Sequence, residues 1–121
     1  MVVHITVEEK IKKMIEKENN KNNLLTTTQL RLLLSNAVVV KNKISMEKNE
    51  DDNLSEDIQN EIKYLLIKHI YQCGRDTKVK KFDEEFEISG KIKNIGKSEK
   101  KFNDFYRYLE EIVAYVKYYI G

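Results

Sequence analysis

The chain has 121 residues, a formal net charge of +2, 40% hydrophobic and 35% charged residues, four glycines and no proline. This length fits one domain with a buried core. The absence of proline and the few glycines exclude a turn-rich β-fold and favour helices joined by short polar loops.

The sequence also limits where the protein works. No apolar run approaches the ~20 residues that span a bilayer, and the N-terminus lacks the pattern of a secretory signal peptide. The lone cysteine, Cys73, has no internal partner for a disulfide and suits a reducing compartment. We therefore expect a cytoplasmic protein without a membrane segment.

Charge is distributed unevenly along the chain. Residues 47–57, the acidic segment, hold six acidic residues and one basic residue, which leaves a surplus of seven basic residues elsewhere. An anionic partner is expected to avoid the acidic segment and to meet the remaining surface. The alternative is a charged surface that serves solubility alone.

The pattern predicts two helices before the acidic segment. Thr6 and Glu9 have capping-box spacing, and the asparagine-rich run 19–23 ends this first helix. Thr26 and Gln29 repeat the capping-box spacing and open a second helix. Its inward positions are Leu30, Leu33, Leu34, Ala37, Val38 and Ile44.

A third helix is predicted from a cap at Ser55 or Asn53 to about Cys73, with Gly74 as its stop. Two sides of this helix are apolar, and such a helix belongs in the middle of a bundle. One side carries Ile58, Ile62, Leu65, Leu66, His69 and Cys73. The other carries Tyr64, Ile67 and Tyr71.

Two further helices complete the prediction. The fourth runs from about Thr77 to Ile95, and Gly90 in its interior marks a point where it can break. The last runs from about Ser98 to Tyr119. Its apolar face holds Phe102, Phe105, Leu109, Ile112, Val113, Val116 and Ile120. The sequence thus predicts an all-α protein, a single-domain bundle of about five helices over residues 1–121.

Catalytic and metal-binding motifs are scarce. The sequence has no glycine-rich phosphate loop and no HExxH motif, and we expect no His–Asp dyad. His69 and Cys73 have the spacing of two metal ligands, but a structural zinc needs four ligands and His4 is the only other histidine. We expect core residues and an inert thiol here, with no metal, no cofactor and no enzymatic activity. A metal-dependent hydrolase built on this pair is the alternative.

Arginine is rare among the basic residues. Only Arg31, Arg75 and Arg107 occur among 22 Lys and Arg residues. A guanidinium grips phosphate or carboxylate with two parallel hydrogen bonds. Each arginine is accompanied by other polar or basic groups, as is typical of contacts to a nucleic-acid backbone. Structural salt bridges are the alternative.

Tyr108, Tyr115 and Tyr119 form a tyrosine ridge beside the apolar face of the last helix. Such a ridge is more typical of a core edge or a protein interface than of a base-stacking platform. A helical protein–protein adaptor that uses this ridge is therefore the competing hypothesis for the whole chain.

Three segments resemble one protein family. Two segments are similar to segments of the small subunit of type III-A CRISPR effector (Csm) complexes: residues 64–75, YLLIKHIYQCGR, and residues 105–119, FYRYLEEIVAYVKYY. A third segment, residues 27–31, TTQLR, resembles the opening of an early helix in that family. Val116, Cys73 and Ile120 stand where the family often has His, Ala and Gly.

The resemblance implies a non-catalytic five-helix bundle that assembles in several copies within the effector complex. It implies contacts with the backbone of guide (CRISPR) RNA and target RNA, with ferredoxin-like backbone subunits and with the large polymerase-like subunit. RNA cleavage and nucleotide synthesis belong to those neighbours. We expect the RNA backbone to meet Arg31, Lys41, Lys68, Arg75, Arg107 and Lys117.

Overall fold

Six α-helices make up the regular structure of the described residues. The structure, a computed structural model, describes residues 6–17, 27–47 and 51–121. The helices are α1 (Val7–Lys17), α2 (Thr27–Met46), α3 (Glu56–Arg75), α4 (Thr77–Phe86), α5 (Ile88–Ile95) and α6 (Glu99–Tyr119). The predicted all-α class is confirmed, with six helices instead of about five. None of them is long and apolar enough to cross a membrane.

Three helices begin at a side-chain cap, and the caps at Thr6 and Ser55 were predicted. The side-chain oxygens of Thr6, Ser55 and Ser98 each accept a hydrogen bond of 3.2 Å from the backbone N–H three residues later. These bonds satisfy donors that the first turn of a helix leaves free. Ser55, and not Asn53, is therefore the cap of α3. The predicted cap at Thr26 and the run 19–23 lie outside the described residues.

The junction between α3 and α4 lies at Asp76. Gly74 does not stop α3 as predicted, since the helix continues to Arg75. The backbone N–H of Asp76 closes the last turn of α3 on the Gln72 carbonyl at 3.0 Å, and its carboxylate accepts the Lys78 N–H at 2.9 Å. One residue thus ends α3 and caps α4, a role that an aspartate can fill and a glycine cannot.

The predicted fourth helix is divided at Glu87, and the expected break at Gly90 is wrong. Glu87 has a φ of 55°, in the left-handed region, and Gly90 lies inside α5. The neighbours of Glu87 explain the position of the break: Phe86 and Ile88 both have 0% exposure. The left-handed residue redirects the chain so that α4 and α5 each bury an apolar face.

All six helices contribute side chains to the core. α2 packs between α3 and α6, α5 contacts both α3 and α6, α1 packs on α6, and α4 packs on α3 and α5. The largest fully buried side chains are Phe82, Phe86, Phe102, Ile11, Leu30, Ile88, Ile92, Ile95, Leu109, Ile112 and Val116. The predicted apolar face of α6 is confirmed, with Val113 and Ile120 at its half-buried margin.

The expected central position of α3 is wrong. Only its first apolar side is buried against α2, α4 and α5. On the other side Tyr64, Ile67 and Tyr71 are 55%, 60% and 62% exposed. This face is open because no helix of the described ranges covers it.

The end of the acidic segment is tied to the start of α6. The Leu54 N–H donates to the Lys97 carbonyl at 2.8 Å. Asp52 accepts the Glu99 N–H on its carbonyl at 2.9 Å and the Ser98 hydroxyl on its carboxylate at 2.7 Å. These bonds hold the negative charge of Asp52 at the end of the bundle where α6 begins.

Substitution of two glycines tests where the chain changes direction between α4 and α6. Gly90→Ala should raise the free energy of unfolding by about 0.5–1 kcal/mol, because Gly90 is helical and an added Cβ meets nothing within 4 Å. Gly96→Ala should lower it by roughly 1–3 kcal/mol, since Gly96 has a φ of 55°. Urea unfolding followed by circular dichroism measures both. Destabilisation by Gly90→Ala would place the break at that glycine after all.

Candidate nucleic-acid interface

Helix α2 runs antiparallel to α6. At one end the Thr27 hydroxyl donates to the Gly121 carbonyl at 3.2 Å. Fourteen residues further along α2, the Lys41 ammonium lies 4.2 Å from the centre of the Tyr106 ring. The start of α2 therefore lies beside the end of α6.

Helix α2 is also antiparallel to α3. The Lys43 ammonium lies 2.8 Å from the Glu61 carboxylate. Nearer the start of α2, the Gln29 amide donates to the carboxylate of Asp76, which directly follows α3. α6, α2 and α3 thus form a three-helix layer in which the start of α2 meets the ends of both neighbours.

This arrangement brings four of the six predicted RNA-binding residues to one end of the layer. Arg31 and Lys117 each lie four residues, about 6 Å of helix, from the contact between Thr27 and Gly121. Arg75 precedes Asp76, and Lys68 lies roughly two turns before it on α3. These four residues, all exposed, are the basic end: Arg31, Lys68, Arg75 and Lys117.

Acidic side chains are missing from the helix segments that carry the basic end. α2 holds one arginine and two lysines, with no Asp or Glu. The second part of α3, residues 62–75, and the end of the chain, residues 112–121, also lack Asp and Glu. The segments themselves therefore carry only positive side-chain charge. Two carboxylates from outside them reach this end of the layer, Asp76 beside Gln29 and Glu8 beside Tyr119.

The other two predicted residues lie toward the opposite end. Arg107 is exposed, but Asp104, Glu110 and Glu111 occupy helix positions three or four residues away and reduce the positive potential. Lys41 is also exposed, and its ammonium is engaged over the ring of Tyr106. The structure therefore separates Arg107 and Lys41 from the basic end.

The alternative of structural salt bridges finds no support among the described residues. None of the three arginines forms an ion pair there, and all three are exposed. The Arg75 guanidinium lies 5.8 Å from the centre of the Tyr71 ring, a contact that leaves its N–H groups available. The arginine forks are open to an external anion.

An exposed apolar stripe on α3 is the part of the surface that the sequence reasoning missed. We call it the outer stripe: Tyr64, Ile67, Ile70 and Tyr71. The Lys68 ammonium lies 4.7 Å from the centre of the Tyr64 ring, so the stripe adjoins the basic end. The helical spacing of these residues was visible in the sequence but was assigned to a second core face.

The tyrosine ridge of α6 is occupied by contacts within the chain. The Tyr108 hydroxyl donates to the Phe86 carbonyl at 3.0 Å, and burial raises the pKa of Tyr108 to about 12. The Tyr119 hydroxyl donates to the Glu8 carboxylate at 2.6 Å, and Tyr115 stacks on Tyr119. These contacts attach α1 and α4 to α6, which fits the core-edge interpretation.

The expectation of no His–Asp dyad is wrong, because a His–Asp pair forms between α3 and α4. His69 is 4% exposed, and its Nε2 lies 2.8 Å from Oδ1 of Asp83. The Cys73 sulfur lies 3.6 Å from the same nitrogen. His69 and Cys73 therefore lie at the core as predicted, with Asp83 as an added neighbour.

Burial and hydrogen bonding set the charges of this cluster. Burial raises the pKa of the Cys73 thiol to about 11, and the nearby charge of Asp83 adds to the effect, so the free thiol is protonated at neutral pH. Burial alone would raise the pKa of Asp83, but hydrogen bonds from Ser89 and His69 outweigh burial. The pKa of Asp83 therefore lies below its ordinary value. The predicted inert thiol agrees with this chemistry.

The fold and this surface define a small all-α protein with a basic end and an adjoining apolar stripe. The family model described as Csm2 Type III-A matches residues 6–121. The chain belongs to the Csm2 family of type III-A, as the resemblance of the three sequence segments implied.

Relatives from three bacteria agree with this assignment, and each is named CRISPR system Cms protein Csm2. The Streptococcus thermophilus protein is 37% identical over 108 residues, which cover 89% of this chain and 84% of that protein. The Enterococcus italicus protein is 36% identical over 80% of this chain and 69% of its own length. The Mycobacterium tuberculosis protein is 34% identical over 78% of this chain and 74% of its own length.

The end of α3 should carry a pH-dependent contribution to stability. Hydrogen bonds from the Lys78 N–H and from Gln29 lower the pKa of Asp76. Because the folded pKa is below the ordinary value of about 4, this stability is present above pH 4 and is lost as the pH falls through the folded pKa. Asp76→Asn keeps a capping side chain, so it should lose less stability than wild type on acidification. Urea midpoints at about pH 6 and pH 3 measure this, and equal losses would contradict it.

Proposed function

We propose that this chain is the non-catalytic small subunit of a type III-A CRISPR ribonucleoprotein effector complex in antiviral defence. In that complex it binds the backbone of the guide and target RNA without reading their sequence. The observation that supports RNA binding is the basic end, where three helices present exposed cations without acidic neighbours on the same segments.

Backbone contacts fit the chemistry of these side chains. The guanidinium groups of Arg31 and Arg75 each suit two hydrogen bonds to one phosphate, and Lys68 and Lys117 add point charges. A subunit that serves any guide must recognise charge and shape, since sequence is delegated to base pairing. Phosphate contacts meet this requirement because they carry no sequence information.

The width of the basic end fits a polyanion. Neighbouring helix axes are about 8–10 Å apart, so the end of α6, the start of α2 and the end of α3 together span roughly 20 Å. A nucleic-acid duplex presents about one phosphate per 1.7 Å of its axis. The basic end is therefore wide enough to contact several phosphates at once. Lys41 and Arg107 are placed as weaker contacts at the far end of the same layer.

The outer stripe supports contacts with protein. Three of its residues are more than half exposed, and they lie together on a helix face that no described helix covers. Exposed apolar and tyrosine side chains are typical of the centre of a protein interface. We place here the contacts with the large polymerase-like subunit, the ferredoxin-like backbone subunits or further copies of this chain, all in the cytoplasm.

A non-catalytic role is supported by the location of the only described histidine. His69 is buried between α3 and α4 and is paired with Asp83, so a substrate in solvent does not reach its ring. Cleavage and synthesis are therefore assigned to the neighbouring subunits.

Loss of positive charge at the basic end should weaken RNA binding without unfolding the protein. Arg31→Gln and Arg75→Gln should each lower affinity about 3–10-fold and reduce the slope of log K against log salt by roughly 0.7–0.9, because each removes a phosphate contact. Arg107→Gln should have a smaller effect, since Asp104, Glu110 and Glu111 surround it. Filter binding of unrelated RNA sequences over a salt series, with the partner subunits present, measures this.

Lys93→Gln is the matched control for these variants. Lys93 is exposed on α5, which contacts α3 and α6, and its loss removes the same charge away from the basic end. RNA affinity equal among Arg31→Gln, Arg75→Gln and Lys93→Gln would reject the basic end as the site. RNA crosslinks that label only the partner proteins would favour the adaptor hypothesis.

Polar substitutions in the outer stripe should weaken assembly with partner subunits. Ile67→Ser combined with Ile70→Ser removes apolar area that is already exposed in the isolated chain, so the melting temperature should change little. Co-purification with the large and backbone subunits should fall at least about 10-fold. The control is Met46→Ser, an apolar residue 83% exposed at the other end of α2. Equal co-purification of both variants would locate the protein contacts elsewhere.

A further inference from the structure

We propose that His69, Cys73 and Asp83 form a zinc-binding site that joins α3 to α4. The three side chains offer an imidazole nitrogen, a sulfur and a carboxylate oxygen, and these ligand atoms all lie within 4.8 Å of one another. His69 is buried on α3, whereas its sequence neighbours Lys68 of the basic end and Ile70 of the outer stripe are exposed, so zinc binding needs neither RNA nor a partner.

Two side chains of this cluster, those of Asp83 and Cys73, approach the same nitrogen of His69. Asp83 Oδ1 lies 2.8 Å and Cys73 Sγ lies 3.6 Å from Nε2 of His69. An Nε2–H that donates to Asp83 can share its proton with the sulfur only through a longer, bifurcated contact, so the Cys73 thiol is the weakly bonded member of the cluster. A metal ion at the centre of the three atoms would satisfy all of them.

The distances approach those of tetrahedral zinc. Zinc–nitrogen and zinc–sulfur bonds of about 2.1 and 2.3 Å at the tetrahedral angle separate nitrogen from sulfur by about 3.6 Å. The structure has 3.6 Å between these atoms of His69 and Cys73. The same geometry needs roughly 3.4 Å between nitrogen and a carboxylate oxygen, so the Asp83 carboxylate has to move away from His69 by about 0.6 Å.

The surroundings hold the ligands in place. His69 and Cys73 are one turn apart on α3, so a single helix face presents both. Asp83 lies on α4, and its carboxylate accepts the Ser89 N–H at 2.7 Å and the Ser89 hydroxyl at 2.9 Å. Hydrogen bonds that orient a ligating carboxylate are the second shell that metal sites use.

Zinc is the metal that this ligand set favours. Thiolate and imidazole ligands suit zinc, and aspartate is an accepted third ligand. On binding, the Cys73 sulfur forms the bond to zinc and releases its thiol proton to solvent, because a coordinated thiol is deprotonated. The imidazole of His69 binds through Nε2 and keeps its proton on Nδ1. A water fills the fourth position.

Cobalt(II) and zinc titrations of the purified full-length chain test the site. The reduced protein should bind one Co²⁺ per chain with a thiolate-to-cobalt charge-transfer band in the near ultraviolet, and Zn²⁺ should displace it. Zinc at roughly 100-fold above its dissociation constant should raise the melting temperature by about 5–10 °C.

Three variants decide the outcome. Cys73→Ser and Asp83→Asn keep the size and hydrogen-bonding capacity of the side chains. Cys73→Ser should abolish the charge-transfer band. Asp83→Asn should weaken cobalt binding at least 10-fold. His4→Ala, which removes the only other histidine, should leave the band unchanged. Circular dichroism shows that each variant is folded. The absence of the band in the wild type, or its persistence in Cys73→Ser, would overturn the proposal.

Discussion

The antiparallel packing of α2 against both α3 and α6 is the constraint on which the surface depends. It is enforced by one buried stripe of α2, where Ala37 with 0% exposure lets the neighbouring helices approach closely. The stripe consists of Leu30, Leu33, Ala37, Val40 and Ile44. Because these residues are spaced at three and four, α2 has one rotational setting in which all of them are covered.

The basic end is a product of this register and not of any local motif. Arg31, Arg75 and Lys117 are far apart in the chain, and no short segment contains two of them. They lie at the same end of the three-helix layer because Gln29 and Thr27 hold the start of α2 against the ends of α3 and α6. A change that shifted α2 by one turn, about 5.4 Å, would disperse the cations while leaving each helix intact.

Local signals were sufficient where a feature depends on neighbours in sequence. The caps at Thr6 and Ser55 and the apolar face of α6 follow from spacing alone. Features that depend on tertiary packing were misjudged: the second apolar face of α3 looks like core until the positions of α2 and α5 are known.

The same limit applies to side chains that meet across helices. Asp83 could not be joined to His69 and Cys73 by spacing, since it lies beyond the turn at Asp76 on a different helix. The six candidate cations were identified by residue type, but their division between the two ends of the layer required the helix directions. Glu87 carried no glycine or proline signal, so only the burial of its two neighbours locates the break.

The position of the acidic segment has a consequence for how the molecule meets other molecules. Asp52 is fixed at the start of α6, at the end of the three-helix layer opposite Arg31 and Lys117. Negative and positive charges are thus separated by roughly 30 Å, the length of a 20-residue helix, and give the layer an electric dipole along its axis. In the field of a polyanion this dipole experiences a torque, which turns Arg31 and Lys117 toward the negative charge before any contact forms.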